Sequence, residues 1–477
     1  MGREVSSSRF NKQDFKAFER HLQDEMQLLS RWFDEREFSE APLRGGFEME
    51  AWLVDPYLHP APVNEQFLKR CANPLIVPEL ARFNIELNGE PRVLQDHALA
   101  RLQQELEQTI TRCRDVTDEM GLHLLMIGIL PTVRDEDLTL KNMSLMTRFK
   151  ALNEQVLRMR KGRPLHLAIQ GCEHLRTSHF DVMLESAATS FQIHLQVGLS
   201  QSVRYYNSAS VLSAPMVAMA ANSPYLFGRD LWDETRIPLF EQSVSLRGYP
   251  HAPCSDLRRV SFGSDYLHES LFEPFNENLE CFPVLLPARL EDDPDPMAYV
   301  RLHNGTIWRW NRPLIGYDSN GQPHLRIEHR VVPSGPSVVD SMANAAVFYG
   351  LIHELANQSP PPESCLSFTQ VRDNFYKSAR LGLRASIPWL HGRTVPLTTL
   401  WCDELLPQAR RGLETLAVNR DDLNDMLGII EARIRTGRNG TGWQREYVAR
   451  YGHDMVKLTA AYLDNQKSGL PVHEWPV

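Results

Sequence analysis

The chain has 477 residues, 42% of them hydrophobic and 23% charged, a net charge of −9 and a mean hydropathy of −0.35. No apolar run is long enough to span a bilayer, and the acidic balance argues against nucleic acid or an anionic membrane surface as partner. Seven cysteines without a CxxC pair fit a reduced, cytoplasmic compartment with most of them as core thiols.

The first residues, MGREVSSSRF, lack the apolar stretch of a signal peptide. They match a myristoylation pattern in outline only, with no polybasic partner. Over 12–36, Phe15, Phe18, Leu22, Met26 and Leu29 recur at helical spacing and predict an amphipathic helix. Gly45 and Gly46 break it, and 47–54 reads as a strand. FNIELN (83–88) is a second strand. Leu99, Leu102, Leu106, Ile110, Cys113 and Val116 predict a long helix ending near Gly121. LHLLMIGIL reads as a buried strand and 148–161 as a basic helix.

FQIHLQVGL (191–199) alternates as a strand does, and LSAPMVAMAANSP is a small-residue helix ending near Asn222. The stretch 245–296 reads as irregular. LRIEHRVV (325–332) is again strand-like, 338–354 is an apolar helix, and SPPPES (359–364) reads as a linker. Helices follow at 400–416, 421–435 and 444–464. Strands mixed with helices, then helices alone, predict an α+β fold: a mostly antiparallel sheet with helices packed on it and a helical C-terminal part. The expected divisions are an N-terminal helix (1–40), a catalytic domain (41–360) and packed helices (361–477).

Four of these strands share an oddity. A strand sends every second side chain to one face. That places Glu48 with Glu50, Asn84 with Glu86 and Asn88, Gln192 with His194 and Gln196, and Arg326 with Glu328 and Arg330. The opposite faces carry Phe47, Met49, Ile85, Leu87, Ile193, Leu195, Ile327 and Val331. Crowded carboxylates repel one another and hold their protons unless a cation intervenes. Oxygen-rich ligands with one imidazole and no cysteine favour Mg²⁺ or Mn²⁺ over zinc. Arginines beside such ions suit phosphate, and metal with arginine is the usual electrostatic solution for phosphoryl transfer. Taken singly, each pair also fits a solvated strand face, and Arg-x-Glu-x-Arg also fits a surface ion-pair ladder.

The motifs together resemble the glutamate–cysteine ligase family of the plant and proteobacterial type, with its bacterial carboxylate–amine ligase relatives. GGFEMEAWLVD, FNIELNGEP, TSFQIHLQV, MAANSPYLFGRDLWDETR and LRIEHRVVPSG follow the family's order over roughly 41–360, and TGRNGTGWQREY (436–447) resembles a family tail motif. The resemblance implies a glutamine synthetase-like catalytic fold. It also implies an ATP- and Mg²⁺-dependent ligase that joins a carboxylate to an amine through an acyl-phosphate. Carried over, it makes Glu48, Glu50, Glu86 and Glu328 metal ligands, with His194 or Gln192 completing a site. Glu328 and Arg330 become the catalytic pair, Arg330 on the transferred phosphate. Arg236, Arg309, Arg312 and Arg326 become nucleotide or carboxylate clamps, and Asn222 a helix-end hydrogen-bonding residue.

The expected partners are ATP, an amino acid and an amine, with self-association left open and cysteine nucleophiles unnecessary. Glutamate is the implied acid; the family pattern names no amine acceptor. The family's Ser-x-Arg has become Glu-Thr-Arg here, and His329 sits inside the closing motif. Two rival readings remain: a catalytically silent metabolite- or partner-binding relative, and a phosphotransferase on the same fold. The signatures HExxH, GxxxxGK[ST] and GxGxxG are absent from the sequence, which removes zinc-hydrolase, P-loop and Rossmann alternatives.

Overall fold

The computed structural model describes residues 4–246, 258–290, 293–390 and 392–477. Gly2 of the myristoylation-like start and Cys254 lie outside the described residues.

An eight-stranded sheet organises the chain. Its strands are β1 (Arg44–Val54), β2 (Ile76–Pro78), β3 (Asn84–Asn88), β4 (Arg92–Val93), β5 (His123–Leu125), β6 (Phe191–Val197), β7 (Asn311–Tyr317) and β8 (Pro323–His329). They run in the order β7-β8-β6-β1-β3-β2, with β4 and β5 paired to β1. Every pairing is antiparallel, as the alternating patterns predict.

The principal helices are α1 (Lys12–Asp34), α2 (Ala98–Glu119), α3 (Thr147–Met159), α4 (Ser202–Ala220), α5 (Val338–Asn357), α6 (Phe368–Leu381), α7 (Leu406–Thr415), α8 (Arg420–Thr436), α9 (Gly440–Tyr451) and α10 (Met455–Lys467). A capping box starts α1: the Asn11 side chain accepts from the Gln13 and Asp14 amides, and Asp14 accepts from the Asn11 amide. This satisfies amides that a helix start leaves orphaned. The buried stripe Phe18, Leu22, Met26, Leu29 then faces inward.

The apolar face of the sheet, Phe47, Met49, Ile85, Leu87, Ile193, Leu195 and Ile327, is buried throughout. Helices α4 and α5 lie over it. Both are apolar on nearly all sides, as helices sandwiched between layers must be. Tyr349 of α5 lies so close to β1 that its hydroxyl donates to the Gly46 carbonyl at 2.9 Å. A Cβ at Gly45 would stand 2.7 Å from that ring, which is why the strand opens on glycine.

The C-terminal helices continue this second layer. Helices α7 and α8 pack on α5, and α6 packs on α4. Arg433 of α8 forms a fully buried ion pair with Asp340 of α5 at 2.7 Å. At the α5–α7 crossing a Cβ on Gly412 would meet the Gly350 carbonyl at 1.9 Å, so only glycine allows that approach. The segment TGRNGTGWQREY locks onto the end of α4: Gln444 donates to Asn222, Asn439 to the Ala218 carbonyl and Thr441 to the Asp233 carbonyl.

Several expectations are corrected. In LHLLMIGIL only His123–Leu125 is strand; residues 126–130 are buried but leave the sheet. There a Cβ on Gly128 would lie 2.9 Å from Pro333. The single helix expected over 444–464 is two, parted at Gly452, which takes φ +91. Part of the irregular stretch is helical, Glu273–Cys281. Among the described free thiols, four lie in the core or pack against it and one does not. Cys71 and Cys113 are buried, Cys172 is exposed, and Cys365 and Cys402 are half-buried; Cys281 is disulfide-bonded. Among the described residues no helix is long and apolar enough to cross a membrane.

Candidate active site

The register of the sheet brings the polar side chains into rows. Arg312 on β7 stands opposite Glu328 on β8, which stands opposite His194 on β6. Gln192 on β6 is opposite Glu48 on β1, and Glu50 is opposite Glu86 on β3. Directly opposed residues have Cβ atoms about 5 Å apart, so the register alone crowds these groups. A cavity of about 270 Å³ opens over them. Glu48, Glu50, Glu86, Gln192, Glu328, Arg312, Arg326 and Arg330 all line it.

At one corner the charges are matched. Glu328 is 1% exposed and gives one oxygen to each of two guanidiniums. Arg312 donates to Oε2 at 2.8 Å and Arg330 donates to Oε1. Burial opposes ionisation, but Arg312 and Arg330 win and hold the carboxyl well below the usual range. Arg330 also donates to Gln192. The charge of Glu328 keeps it fully protonated, against its own burial.

At the other corner the charges are not matched. Glu50, Glu79 and Glu86 each offer an oxygen, all within 4.8 Å of one another. Burial first, then the neighbouring Glu86, pushes Glu50 up to about 7, against the pull of Arg330. Burial and the charge of Glu48 push Glu86 up to about 8. Glu79 is raised as well, by burial and by Glu50. The carboxylates are already oriented: Glu50 accepts from the Ser190 amide at 2.7 Å and from Gln192 at 3.1 Å, and Glu86 accepts from Asn88 at 3.0 Å. Three hard oxygen donors facing one point, each reluctant to ionise, are the donor set a hard divalent cation takes. The residues present therefore fit such an ion.

The other expected residues are placed as follows. His194 sits behind Glu48, its Nε2 3.6 Å from a Glu48 oxygen. It is buried and does not reach the cavity lining; burial lowers its pKa to about 4, so the ring is neutral. Arg326 lines the cavity, and among the described residues its buried Nε finds no hydrogen-bond partner. Arg236 is buried and donates to the carbonyls of Arg330 and Val331, holding the end of the β8 segment from behind. Arg309 is not brought to the cavity. It pairs with Glu277 and Asn278 in a buried cluster over the Phe282 ring, because its side chain leaves the short bridge at Trp308–Arg309 on the far side. Asn222 donates to the Ser334 carbonyl and the Tyr462 hydroxyl, both at 2.8 Å, a structural role. His329 stacks on Phe348 at 4.2 Å on the apolar side.

Sequence reasoning missed Glu79, Glu185 and Arg148, all of which line the cavity. Glu79 follows the three-residue strand β2, too short to show a period. Glu185 lies on a 3₁₀ turn, Met183–Ala187, where no alternation exists to read.

Residues 44–459 match the glutamate–cysteine ligase family 2. The chain belongs to that family. Its members are ATP-dependent ligases, and membership makes this chain a carboxylate–amine ligase in the broad sense. No curated protein matches it in sequence. Among solved structures it is similar to a glutamate–cysteine ligase from Francisella tularensis in complex with AMP, at 13% identity and a TM-score of 0.57, covering 92% of this chain and 91% of that one. It is also similar to a bifunctional glutathione synthetase from Pasteurella multocida, at 11% identity and a TM-score of 0.55. There 95% of this chain aligns to 55% of the other, so it spans about half of that protein's length. At such identities the likeness shows a shared fold, the antiparallel ligase sheet backed by helices.

Proposed function

We propose that the protein uses ATP to join the γ-carboxyl of glutamate to an amine, cysteine or another amino compound, through an acyl-phosphate, in the cytoplasm. One observation carries this reading: in a single cavity, the frustrated carboxylates Glu50, Glu79 and Glu86 face the guanidiniums of Arg326 and Arg330. Carboxylates needing a cation beside arginines needing an anion are what metal-bound phosphate supplies. AMP bound to the Francisella relative supports a nucleotide in this fold. The catalytic unit is assigned to 41–360, with 1–40 and the helices of 361–477 buttressing it.

Glu50, Glu79 and Glu86, with Glu48 and Gln192 beside them, would hold Mg²⁺ or Mn²⁺, which supplies charge neutralisation to the ATP phosphates. The protein's own residues position the reactants. Arg330, pinned by Glu328 and Gln192, presents its free edge to the γ-phosphoryl group. Arg326 and Arg312 flank the same phosphate. Glu328 spends both oxygens on guanidiniums, so its assigned part is to aim Arg312 and Arg330, while Glu79 joins the metal ligands. His194 stays neutral and braces Glu48. The substrate carboxylate attacks the γ-phosphorus and ADP leaves; the amine then attacks the acyl carbon and phosphate leaves. Such catalysis is positioning and electrostatics, with no covalent enzyme intermediate.

The test is phosphate release from Mg²⁺-ATP with glutamate against a panel of amino acids and amines, with product masses read in parallel. A product at the combined mass less water, formed with ADP, is the expected result. Phosphorylated acid accumulating with no amine requirement would point to a phosphotransferase. No nucleotide turnover with any pair would leave a silent relative.

A further inference from the structure

Beside Glu50 the main cavity adjoins a small annex of about 40 Å³. Glu50, Glu79, Glu185 and Arg330 line both spaces. Its lining mixes polar groups, among them Ser190, Asn84 and the Arg236 guanidinium, with the apolar Leu80 and Phe240, and several of the polar atoms are unsatisfied. Among the described residues the buried Glu185 Oε2, Ser190 Oγ and Asn84 Nδ2 find no hydrogen-bond partner, and Ser190 and Asn84 are 4% and 2% exposed. Among the described residues, no hydrogen bond or ion pair reaches the Glu185 carboxylate, although Arg330 and Arg148 lie near enough to act on it electrostatically. Buried polar groups in folded proteins nearly always have partners, and a carboxylate is the most costly to leave without one. The space is too small for a substrate body and large enough for one polar head group.

Its location says which head group. Arg330, assigned above to the transferred phosphate, is shared by both chambers, so a nitrogen in the annex stands next to the acyl-phosphate. From this geometry we infer that Glu185, with Ser190, seats the nitrogen of the amine substrate, and that the annex restricts that substrate to primary amines. Glu185 is thus a specificity-determining residue of the second half-reaction. This inference rests on the ligase reading above.

The experiment separates the two. Hydroxylamine, uncharged at neutral pH, traps an acyl-phosphate: its nitrogen bonds to the acyl carbon, the carbon–oxygen bond to phosphate breaks with its electron pair leaving on phosphate, and a proton goes to solvent. Hydroxamate is measured with saturating Mg²⁺-ATP and a panel of amino-acid carboxylates that includes glutamate, while methylammonium is added as competitor. In the wild type, methylammonium should suppress hydroxamate, whereas tetramethylammonium, too wide for the annex, should not. In Glu185→Gln the methylammonium concentration for half-suppression, normalised to that variant's own uninhibited rate, should rise at least about 10-fold, equivalent to about 1.4 kcal/mol. Ser190→Ala should raise it about 3-fold. Equal suppression of wild type and both variants, as a chamber that merely holds water would give, overturns the inference; so does suppression by tetramethylammonium. Absence of hydroxamate from the wild type with every acid overturns the ligase reading itself.

Discussion

Two corners of one cavity solve the same problem in opposite ways. At Glu328 a buried carboxylate is flanked by Arg312 and Arg330 and stays ionised. At Glu50, Glu79 and Glu86 three carboxylates converge with no guanidinium among the described residues in hydrogen-bond contact, and all three are pushed toward the protonated form. The first corner is complete in the protein alone. The second is stable only with protons or a cation bound. The folded protein therefore stores electrostatic repulsion at the corner proposed to hold a metal and relieves it at the corner proposed to aim Arg312 and Arg330.

The largest effect should come from removing one charge at each corner. Glu86→Gln and Glu328→Gln should both cut ADP formation by about 100- to 1,000-fold, yet move stability in opposite directions. Glu328→Gln leaves two largely buried arginines without their partner and should destabilise the protein by about 3 kcal/mol. Glu86→Gln relieves repulsion and should raise the stability of the metal-free protein at pH 8. Denaturant unfolding of both variants without divalent ions decides it. A loss of stability in Glu86→Gln matching that of Glu328→Gln would mean the two corners are not different in kind.

The next effect is on Arg330. Its guanidinium bonds Glu328 and Gln192 at one edge and leaves another for the proposed phosphate. Lysine is a point charge that cannot serve both edges. Arg330→Lys should lower ADP formation about 100-fold with a smaller effect on stability than Glu328→Gln, since the charge of Glu328 remains neutralised. Steady-state ADP release alongside unfolding midpoints measures both.

Much of this contrast was legible in the sequence, for a physical reason. A strand alternates with period two, so Glu48/Glu50, Asn84/Glu86, Gln192/His194 and Arg326/Glu328/Arg330 announce a shared face before any pairing is known. The register that sets Glu50 against Glu86, and Glu328 against His194, needed the fold. Glu79 and Glu185 escaped because they stand on a loop and a 3₁₀ turn, where neighbouring positions in sequence carry no directional rule. The strand Leu165–Gln170 does alternate, Leu165, Leu167 and Ile169 being buried, and was overlooked, whereas its partner His174–His179 and the edge strand β7 lack a strong apolar alternation. Arg309 misled for the opposite reason: a charged residue in an aromatic stretch looked available, but Glu277 and Asn278, about 30 positions earlier in the chain, already hold it.

A pH titration sharpens the contrast further. Carboxyls of the unfolded chain lose their protons near 4.5, whereas Glu50 and Glu86 in the folded protein keep theirs to about 7 and about 8. Between those limits the folded state binds more protons than the unfolded one, so stability falls as pH rises. Below 4.5 both states are protonated and no penalty exists; above 8 the penalty is complete. The metal-free protein should therefore lose melting temperature from pH 5 to pH 8. Mg²⁺ should restore more of it at pH 8 than at pH 5, where protons compete. A flat metal-free profile across this window would contradict the uncompensated character of that corner.

The smallest effect draws the outer boundary of the site. Arg326 and Arg309 are both arginines of the β7–β8 neighbourhood, but the first lines the cavity and the second is buried away from it. Arg326→Met should raise the ATP KM about 10-fold, one phosphate contact being worth roughly 1.4 kcal/mol. Arg309→Met should leave that KM within about twofold while costing about 1–3 kcal/mol of stability through the lost bonds to Glu277 and Asn278. Glu277 is 21% exposed on its side chain, so water can partly replace the lost partner, which keeps the cost below that of Glu328→Gln. An ATP KM shifted as far in Arg309→Met as in Arg326→Met would mean that the nucleotide reaches past Trp308 and that the cavity extends beyond the sheet face described above.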